Sequence, residues 1–443
     1  MTLDEALRKR ATDTALLVAE RLREPRSVAR IAEASRQTLA DGSYPAWRPD
    51  GLWGGHAGIS VLYARLSHHD DTWSAPAHAH LSAAASAAGT EHRTTFAGAE
   101  VALAASLFRA ARGGYTRLLS QAAKAAANVG LARARRTLSA GQSVAETGGY
   151  DVITGLSGQG RILLLLAEQG FEDCAEALNE ILRCLVPITE PVLAYGTEVP
   201  GWWTSPDNYP LPDDRLRYPR GDFNIGLAHG IAGPLALFAI AQSAGHDVDG
   251  LRQASEHIVD WLLSWQAEDR FGPYWPSRIS FEDHAAQCLP DSIRVQTAWC
   301  YGTPGTARAI QLAGQVLGRP ELSSVAAAAM CAAVERAAAG QPRSSNLCHG
   351  VAGLLHVASR IGQDAEDGRL ARLAAGLTRE LIDRYDETVE FGYQESIPAG
   401  RGYLGCNDPG LLQGASGIAL ALHTAANPDN ETAPHWDAPM MLT

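Results

Sequence analysis

The sequence has no hydrophobic run approaching the roughly 18 residues that a membrane-spanning helix requires; its longest runs, such as residues 162–167, are short. Its N-terminus mixes acidic and basic residues and has no apolar core of the kind found in a secretory signal. Basic residues are not in excess either, because 37 Lys and Arg face 49 Asp and Glu, which leaves a formal net charge of −12. These absences predict a cytoplasmic protein without a membrane span, and they argue against nucleic acid as its partner.

Cysteine is scarce, and the count of seven in 443 residues is odd. An odd number spread along a long chain is typical of reduced thiols rather than of a disulfide framework. Hydrophobic residues make up 46% of the chain and charged residues 19%, so a sizeable folded core is expected. Some thiols are therefore candidates for ligands or nucleophiles, although composition does not say which.

What the sequence does contain is an internal repeat, in which a G-x-x-G turn precedes a helix rich in Ala and Leu. A weaker copy keeps only Gly98, and six copies keep both glycines. The first glycines of those six are Gly55, Gly155, Gly230, Gly302, Gly350 and Gly414. The helix after each turn is apolar nearly all round, which predicts burial on both sides, whereas the segments between repeats carry one apolar face.

Seven alternating pairs predict an all-α protein, a closed α/α toroid of seven inner and seven outer helices. A two-layer α-solenoid would have similar helices, so closure is an inference from the pattern. We expect the glycines to allow left-handed turn conformations and close helix approach. Two turns faintly resemble nucleotide-binding loops, but such loops follow a β-strand, and these lie between helices.

The repeats predict a toroid domain over residues 1–426. Residues 187–222 are rich in Pro, Tyr, Trp and Asp and lack a helical period, which predicts an inserted subdomain or loop. Residues 266–297 are a second irregular stretch. Residues 427–443 are expected to form a loosely ordered C-terminal tail.

Three turns carry reactive side chains directly before their first glycine, as Ala228-His229, Cys300-Tyr301 and Cys348-His349. In a closed barrel these positions are equivalent, so their side chains would converge at one end of the central cavity. Two cysteines and a histidine there, Cys300, Cys348 and His349, predict a zinc site with its fourth position open. The remaining cysteines are expected to be small buried apolar residues: Cys174, Cys184, Cys288, Cys331 and Cys406.

Such a site predicts chemistry on a thiol, because zinc lowers the pKa of a bound thiol and yields a thiolate that can attack an electron-poor alkene. His229 is the candidate acid that then protonates the carbon. Alternatives remain open: His229 is also read as a hydrogen-bonded core histidine or as a fourth ligand that closes the site. Asp151 is read as a helix-capping residue, and Tyr301 as packing for its turn.

With its motifs GLAHGIAG, AWCYGTPG and NLCHGVAG in this order and spacing, the sequence resembles the LanC family of lanthionine cyclases. These enzymes close thioether rings in lanthipeptides, including lantibiotics. The resemblance extends over residues 51–422 and looks like a free-standing cyclase without a fused dehydratase or kinase.

The resemblance implies an α/α toroid with one catalytic Zn²⁺ per chain, held by Cys300, Cys348 and His349. It implies that His229 acts as acid or base, that Asp151 orients it and fixes its tautomer, and that Tyr301 lies beside the metal. The implied substrate is a dehydrated precursor peptide with a leader and a core. Further implied partners are a separate dehydratase and an exporter, with peripheral membrane association through a biosynthetic complex.

One position departs from the family pattern. Many members place an arginine four residues before the first zinc cysteine, where this chain has Gln296, and Arg294 and Arg278 are the candidate substitutes. The departure favours a competing hypothesis, a protein that keeps the fold and zinc but only binds a peptide or a thiol such as glutathione. A toroid enzyme acting on carbohydrate or isoprenoid would need clustered carboxylates, and the turns offer only Asp151.

Overall fold

A computed structural model describes residues 3–37, 47–88, 99–112, 114–140, 149–209, 212–289, 295–340, 343–399, 402–428 and 435–443. The helices of these residues are, in chain order, α1 (Glu5–Arg21), α2 (Pro25–Gln37), α3 (His56–Ser67), α4 (Ser74–Ala88), α5 (Ala99–Arg112), α6 (Thr116–Ala140), α7 (Leu156–Glu168), α8 (Glu172–Leu185), α9 (Pro212–Arg217), α10 (Ala232–Ser243), α11 (Leu251–Ser264), α12 (Phe281–Ala286), α13 (Thr303–Leu317), α14 (Glu321–Ala338), α15 (Val351–Asp364), α16 (Gly368–Asp383) and α17 (Ala415–Ala426). None of these helices is long and apolar enough to cross a bilayer.

The strands of the described residues are short and form two-stranded antiparallel sheets. They are β1 (Val192–Ala194), β2 (Thr197–Val199), β3 (Asp222–Asn224), β4 (Ala267–Asp269), β5 (Gly272–Tyr274), β6 (Arg278–Ser280), β7 (Glu395–Ala399) and β8 (Gly402–Cys406). The pairs are β1 with β2, β3 with β6, β4 with β5 and β7 with β8. Within the described residues, both irregular stretches of the sequence thus form hairpins and loops with one short helix each, α9 and α12.

The helices fall into the two predicted kinds. Seven follow the repeat turns, namely α3, α5, α7, α10, α13, α15 and α17, and α3 is buried at every residue. Seven others, α1, α4, α6, α8, α11, α14 and α16, alternate with them. In α8 the buried residues Cys174, Ala177, Leu178, Ile181 and Leu182 recur at the three- and four-residue spacing of one face. The prediction of seven inner and seven outer helices is confirmed within the described ranges.

The second glycine of each turn is required because the helix packs against the backbone of its own turn. A Cβ atom on Gly158 would lie 1.9 Å from the carbonyl oxygen of Val152, far inside van der Waals contact. The expected left-handed conformation occurs at Gly302, with φ of 98°, whereas Gly155 and Gly350 are extended. Close approach therefore explains the repeat better than positive φ does.

The chain divides into two compact units, each with its own helix packing. The first unit comprises Met1–Ala125 and Gln341–Trp436, in which α3 packs against α4, α5 and α17, and α15 against α16 and α17. The second comprises Ala126–Gly340 and Asp437–Thr443, in which α10 packs against α7, α11 and α13, and α13 also against α14. In both units, buried helices of neighbouring repeats contact each other and are flanked by the mixed helices.

In the second unit the turns of successive repeats are joined by backbone hydrogen bonds. The N–H of Val152 donates to the carbonyl of Ala228 over 2.9 Å, and the N–H of Ala228 donates to the carbonyl of Cys300 over 3.2 Å. Ala228 and Cys300 hold the same place in their repeats, two residues before the first glycine. The hydrogen bonds therefore set equivalent turn positions side by side.

The first unit repeats this arrangement. The N–H of Cys348 donates to the carbonyl of Leu412 over 3.0 Å, and the N–H of Leu412 donates to the carbonyl of Trp53 over 2.9 Å. All three residues precede the first glycine of their turn by two positions. Within this unit, too, the repeat fixes where a side chain at the turn is placed.

Residues 435–443, expected from the sequence to be loosely ordered, are instead packed. The indole N–H of Trp299 donates to the carbonyl of Met440 over 3.0 Å, and the guanidinium of Arg308 donates to that of Leu442 over 2.7 Å. Several side chains of this segment are buried: Trp436, Ala438, Met440, Met441 and Leu442. This segment is ordered by burial of its apolar side chains and by hydrogen bonds from residues far away in the sequence. The position of the segment at the end of the chain does not reveal these contacts.

Candidate active site

His229 lies in the turn that precedes α10 and contacts a carboxylate of the preceding repeat. Its Nδ1 is 2.7 Å from Oδ2 of Asp151. The imidazole is partly exposed, whereas the carboxylate is largely buried. A carboxylate on Nδ1 favours the tautomer with its proton there, which leaves Nε2 to exchange a proton with a substrate.

Asp151 has a second function in its own turn. Its other oxygen, Oδ1, accepts hydrogen bonds from the backbone N–H groups of Thr154 at 2.7 Å and Gly155 at 2.6 Å, just before α7. The helix-capping and histidine-orienting interpretations of Asp151 therefore both describe contacts that it makes. Because the turn holds the carboxylate rigidly, the carboxylate can in turn hold the imidazole.

Tyr301 packs beside this pair, with its ring centroid 6.1 Å from that of His229. Its side chain is partly buried, and Cζ of Arg278 lies 5.9 Å from its ring centroid. Burial raises the pKa of Tyr301, and the guanidinium and amide donors oppose that rise. Burial therefore keeps the phenol of Tyr301 in its neutral form, although the cation and the amide on neighbouring strands act in the opposite direction.

Position 296, which departs from the family pattern, has a neutral side chain that forms a hydrogen bond. Gln296 accepts a hydrogen bond from the hydroxyl of Ser277 over 2.7 Å. Of the two candidate substitutes, Arg294 lies outside the described residues, and Arg278 contacts Tyr301. Arg278 is therefore the candidate cation that the described residues bring to this turn.

Cys348 and His349 lie in the turn before α15, where the imidazole also has a carboxylate neighbour. The backbone N–H of His349 donates to Oδ1 of Asn346 over 2.9 Å. The ring Nε2 lies 3.2 Å from Nδ2 of Asn346 and 3.4 Å from Oε1 of Glu395. Glu395 begins β7 and accepts a hydrogen bond from Ser344 through its other oxygen. The carboxylate favours a proton on Nε2, whereas the amide N–H of Asn346 favours a lone pair there, so both groups restrain the ring.

Glu395 was not predicted from the sequence. It lies outside every repeat motif, 45 residues beyond the first glycine of the Cys348-His349 turn, in a segment without a helical period. In the folded chain it pairs with Cys406 of β8, and its carboxylate contacts Ser344 and the imidazole of His349. An acidic residue in the hairpin after a predicted metal-binding turn would have been the sole available clue.

Across the described ranges, one group of three or more His, Cys, Asp or Glu side chains is arranged to share a metal ion, and it consists of Cys300, Cys348 and His349. Their ligand atoms all lie within 4.8 Å of one another. Two thiolates and one imidazole are a donor set typical of Zn²⁺, and three protein ligands leave one position for a substrate. His229 is not a member of this group.

The other cysteines are distributed largely as predicted. Cys174, Cys184, Cys331 and Cys406 are buried, and burial raises the pKa of Cys174 to about 12, which keeps that thiol protonated and unreactive. The prediction for Cys288 is wrong, because this side chain is exposed. It follows the short helix α12 in a loop, where no helical face covers it.

Comparison with known proteins gives consistent matches. A family model described as lanthionine synthetase C-like protein matches residues 46–441. The nisin biosynthesis protein NisC of Lactococcus lactis subsp. lactis is 24% identical over 294 residues, which are 66% of this chain and 64% of that protein. The aligned part is thus slightly less than two thirds of the length of NisC.

A solved structure titled nisin cyclase superimposes with a TM-score of 0.73 at 20% sequence identity, covering 94% of this chain and 98% of that one. At this identity the likeness shows the fold. The α/α toroid predicted from the repeats is confirmed.

Proposed function

The chain belongs to the lanthionine synthetase C-like family, and from this premise we propose that it is a zinc-dependent lanthionine cyclase. The proposed reaction is the intramolecular Michael-type addition of cysteine thiols to dehydroalanine or dehydrobutyrine in a precursor peptide. The observation that carries the proposal is the group formed by Cys300, Cys348 and His349. The His229–Asp151 pair, on an equivalent turn, supplies the second requirement, a proton donor.

Cys300, Cys348 and His349 are the residues that would hold the zinc, since their donor atoms fit this ion. Zinc bound there would lower the pKa of a substrate cysteine and so supply a thiolate nucleophile near neutral pH. Glu395 would keep the His349 ring oriented by accepting the proton of Nε2.

His229 is the proposed proton donor. In the reaction the S–H bond breaks, a C–S bond forms at the β-carbon, and the alkene electron pair moves into an enolate. The α-carbon must then gain a proton, and Nε2 of His229 is the ring nitrogen that Asp151 leaves available. The proton lost from the thiol balances the one gained by carbon.

Tyr301 would assist as a neighbour of the imidazole, since its ring lies beside that of His229. The proposed substrate, a dehydrated precursor with a leader and a core, requires that a dehydratase act first. Cooperation with that enzyme or with an exporter, a cytoplasmic location and association with a membrane complex stay predictions.

The neutral side chain of Gln296 favours one alternative function. A chain that keeps the zinc ligands but lacks the expected arginine could bind a peptide or thiol without closing rings. The hydrogen bond from Ser277 holds Gln296 in place and leaves it without a positive charge. This alternative predicts thiol binding with no thioether product.

The two functions are separated by a direct assay of ring closure. Zinc-loaded protein is incubated with test peptides that each contain one cysteine and one dehydrobutyrine at a series of spacings, and free thiols are then alkylated. A cyclase yields peptides that resist alkylation and keep their mass, and chelation of the zinc abolishes this product. Thiols that stay fully alkylated at every spacing, while the peptide still binds, would favour the binding protein.

A further inference from the structure

Arg278 on β6 is a charged residue with a specialised environment. Its side chain is largely buried, with Nη1 3.4 Å from Oδ2 of Asp222 and Nη2 3.8 Å from Oδ2 of Asp214. A buried cation needs such partners, because desolvation penalises an unpaired charge by several kcal/mol. Burial acts to lower the pKa of Arg278, but Asp222 and Tyr301 more than offset it, so the guanidinium stays charged.

Three aromatic rings surround the same guanidinium. Its Cζ lies 5.8 Å from the ring centroid of Tyr209, 5.6 Å from that of Tyr218 and 5.9 Å from that of Tyr301. The hydroxyl of Tyr209 also donates a hydrogen bond to Asp222. Cation–π contacts of this kind strengthen as water is excluded. The guanidinium is thus restrained on several sides at once.

Most of these restraining residues come from one part of the chain. Tyr209, Asp214, Tyr218 and Asp222 all lie within residues 187–222, the segment predicted as an insertion. The segment ends at β3, which pairs with β6 so that Asn224 lies opposite Arg278. This segment therefore supplies most of the described groups around Arg278 and is joined to its strand.

Arg278 and Asn224 connect this arrangement to the candidate site. The Cζ atom of Arg278 lies 5.9 Å from the ring centroid of Tyr301. A Cβ atom on Gly226 would lie 2.9 Å from Cδ1 of the same ring, and the N–H of Gly226 donates to Oδ1 of Asn224 over 3.0 Å. A guanidinium beside an aromatic ring is attracted by the ring and so restrains its orientation.

We propose that Arg278 is a positioning residue that holds the ring of Tyr301 beside His229 for ring closure, and that the partners of Arg278 in the preceding segment, namely Tyr209, Asp214, Tyr218 and Asp222, hold it in place for this purpose. The role in ring closure rests on the proposed cyclase function. The positioning of Tyr301 does not depend on it. Since Gln296 is neutral, Arg278 supplies the positive charge at this turn.

The first test compares Arg278→Ala with Arg220→Ala. Arg220 is a matched control, because its guanidinium also lies over aromatic rings, those of Tyr195 and Phe281, in the same region but does not contact Tyr301. We expect Arg278→Ala to lower kcat for ring closure about 100-fold, the loss that misplacement of a site residue can cause, with KM and zinc content unchanged. Arg278→Lys and added methylguanidinium should each restore part of the rate, and Arg220→Ala should match the parent protein. Equal rates for the two alanine variants would overturn the proposal.

The second test reads the position of Tyr301 without any activity assay. The protein is prepared with 3-fluorotyrosine at position 301, and its ¹⁹F resonance is compared in the same variants. We expect Arg278→Ala and the milder Tyr209→Phe to shift or broaden the resonance and Arg220→Ala to leave it unchanged. An unmoved resonance in Arg278→Ala would overturn the positioning role, even where the parent protein closes rings. A parent that closes no rings would refute the cyclase function, and the ¹⁹F result would still decide the positioning.

Discussion

His229 and His349 hold the same place in their repeats, one residue before the first glycine, yet their surroundings differ. The side chains of His229 and His349 are almost equally exposed, at 42% and 40%. The carboxylate side chains that they contact are 11% exposed for Asp151 and 9% exposed for Glu395. Asp151 contacts Nδ1 of His229, whereas Glu395 contacts Nε2 of His349. At the same turn position, the carboxylate therefore contacts a different ring nitrogen in the two histidines.

The two turns also differ in the residue that precedes the histidine. Ala228 precedes His229, whereas Cys348 precedes His349. One turn therefore offers a second metal donor and the other does not. The comparison teaches that the repeat fixes where a histidine stands, while its neighbours decide whether it binds a metal or transfers a proton.

Removal of a metal donor should have the largest effect. We expect Cys348→Ala to weaken zinc binding by at least roughly 1,000-fold, because three ligands share a binding free energy of about 10 kcal/mol or more. Helix content should change little, since the other turns keep their packing. Chelator competition and circular dichroism measure the two effects. Cys174→Ala, which removes a buried thiol on α8, is the control, and unchanged zinc affinity in Cys348→Ala would refute the ligand role.

Removing the other histidine should separate chemistry from metal binding. We expect His229→Ala to keep its zinc and to close rings about 100- to 10,000-fold more slowly, the range usual for loss of a general acid. The matched variant His349→Ala should lose the zinc as well as the activity. If His229→Ala closed rings at the parental rate, the proton donor would have to be Tyr301 or water.

Exchanging the carboxylates for amides tests the ring nitrogens themselves. We expect Glu395→Gln to weaken zinc binding about 10- to 100-fold, as is typical when a metal-bound histidine loses its carboxylate partner. Asp151→Asn should leave zinc affinity unchanged and slow ring closure. Equal zinc affinities in Glu395→Gln and the parent would mean that Glu395 does not orient His349.

A third histidine, His56, has another histidine rather than a carboxylate at hydrogen-bond distance within the described residues. It opens α3, and its Nδ1 lies 3.0 Å from Nδ1 of His80, which also contacts the carbonyl of Leu22. Burial lowers the pKa of His56 to about 4 and that of His80 to about 3. Both stay neutral when folded but bind protons below about pH 6.5 when unfolded.

The two neutral histidines therefore contribute to the free energy of unfolding above pH 6.5, and this contribution is lost as the pH falls toward 3. Each histidine contributes a slope of at most roughly 1.4 kcal/mol per pH unit in this window. Denaturant unfolding at a series of pH values measures it, and His80→Gln should flatten the curve between pH 6.5 and 4. A variant curve parallel to that of the parent would contradict this account of the pair.

The smallest expected effect is at the departure from the family pattern. We expect Gln296→Arg to change the rate of ring closure by less than about twofold, because Arg278 already supplies the charge beside Tyr301. Single-turnover kinetics on the parent and the variant check this. A clearly faster variant would show that position 296 is catalytic and that Arg278 does not replace it.

The repeats and the three motifs predicted the helices and the candidate site residues, because a G-x-x-G turn with an apolar helix is a local signal. Cys348 and His349 were found from their place in the turn alone. The close approach of Gly158 to Val152 explains why that signal is so regular. Local constraints of this kind can be read from sequence spacing.

The remaining features depend on segments far apart in the chain. Glu395 reaches His349 through a hairpin, and Arg278 reaches Tyr301 through the pairing of β3 with β6. The packing of residues 435–443 depends on Trp299 and Arg308, more than a hundred residues earlier. No spacing rule links such residues, so only the folded chain reveals them.

The central claim is that Cys300, Cys348 and His349 hold a zinc ion with one position open, while His229 stays outside the metal. Zinc X-ray absorption on the purified protein, with metal content determined on the same sample, tests it most directly. The account predicts one zinc per chain with two sulfur ligands, one imidazole and one light oxygen donor, and the same spectrum for His229→Ala. Four protein donors, or the absence of stoichiometric zinc, would contradict it.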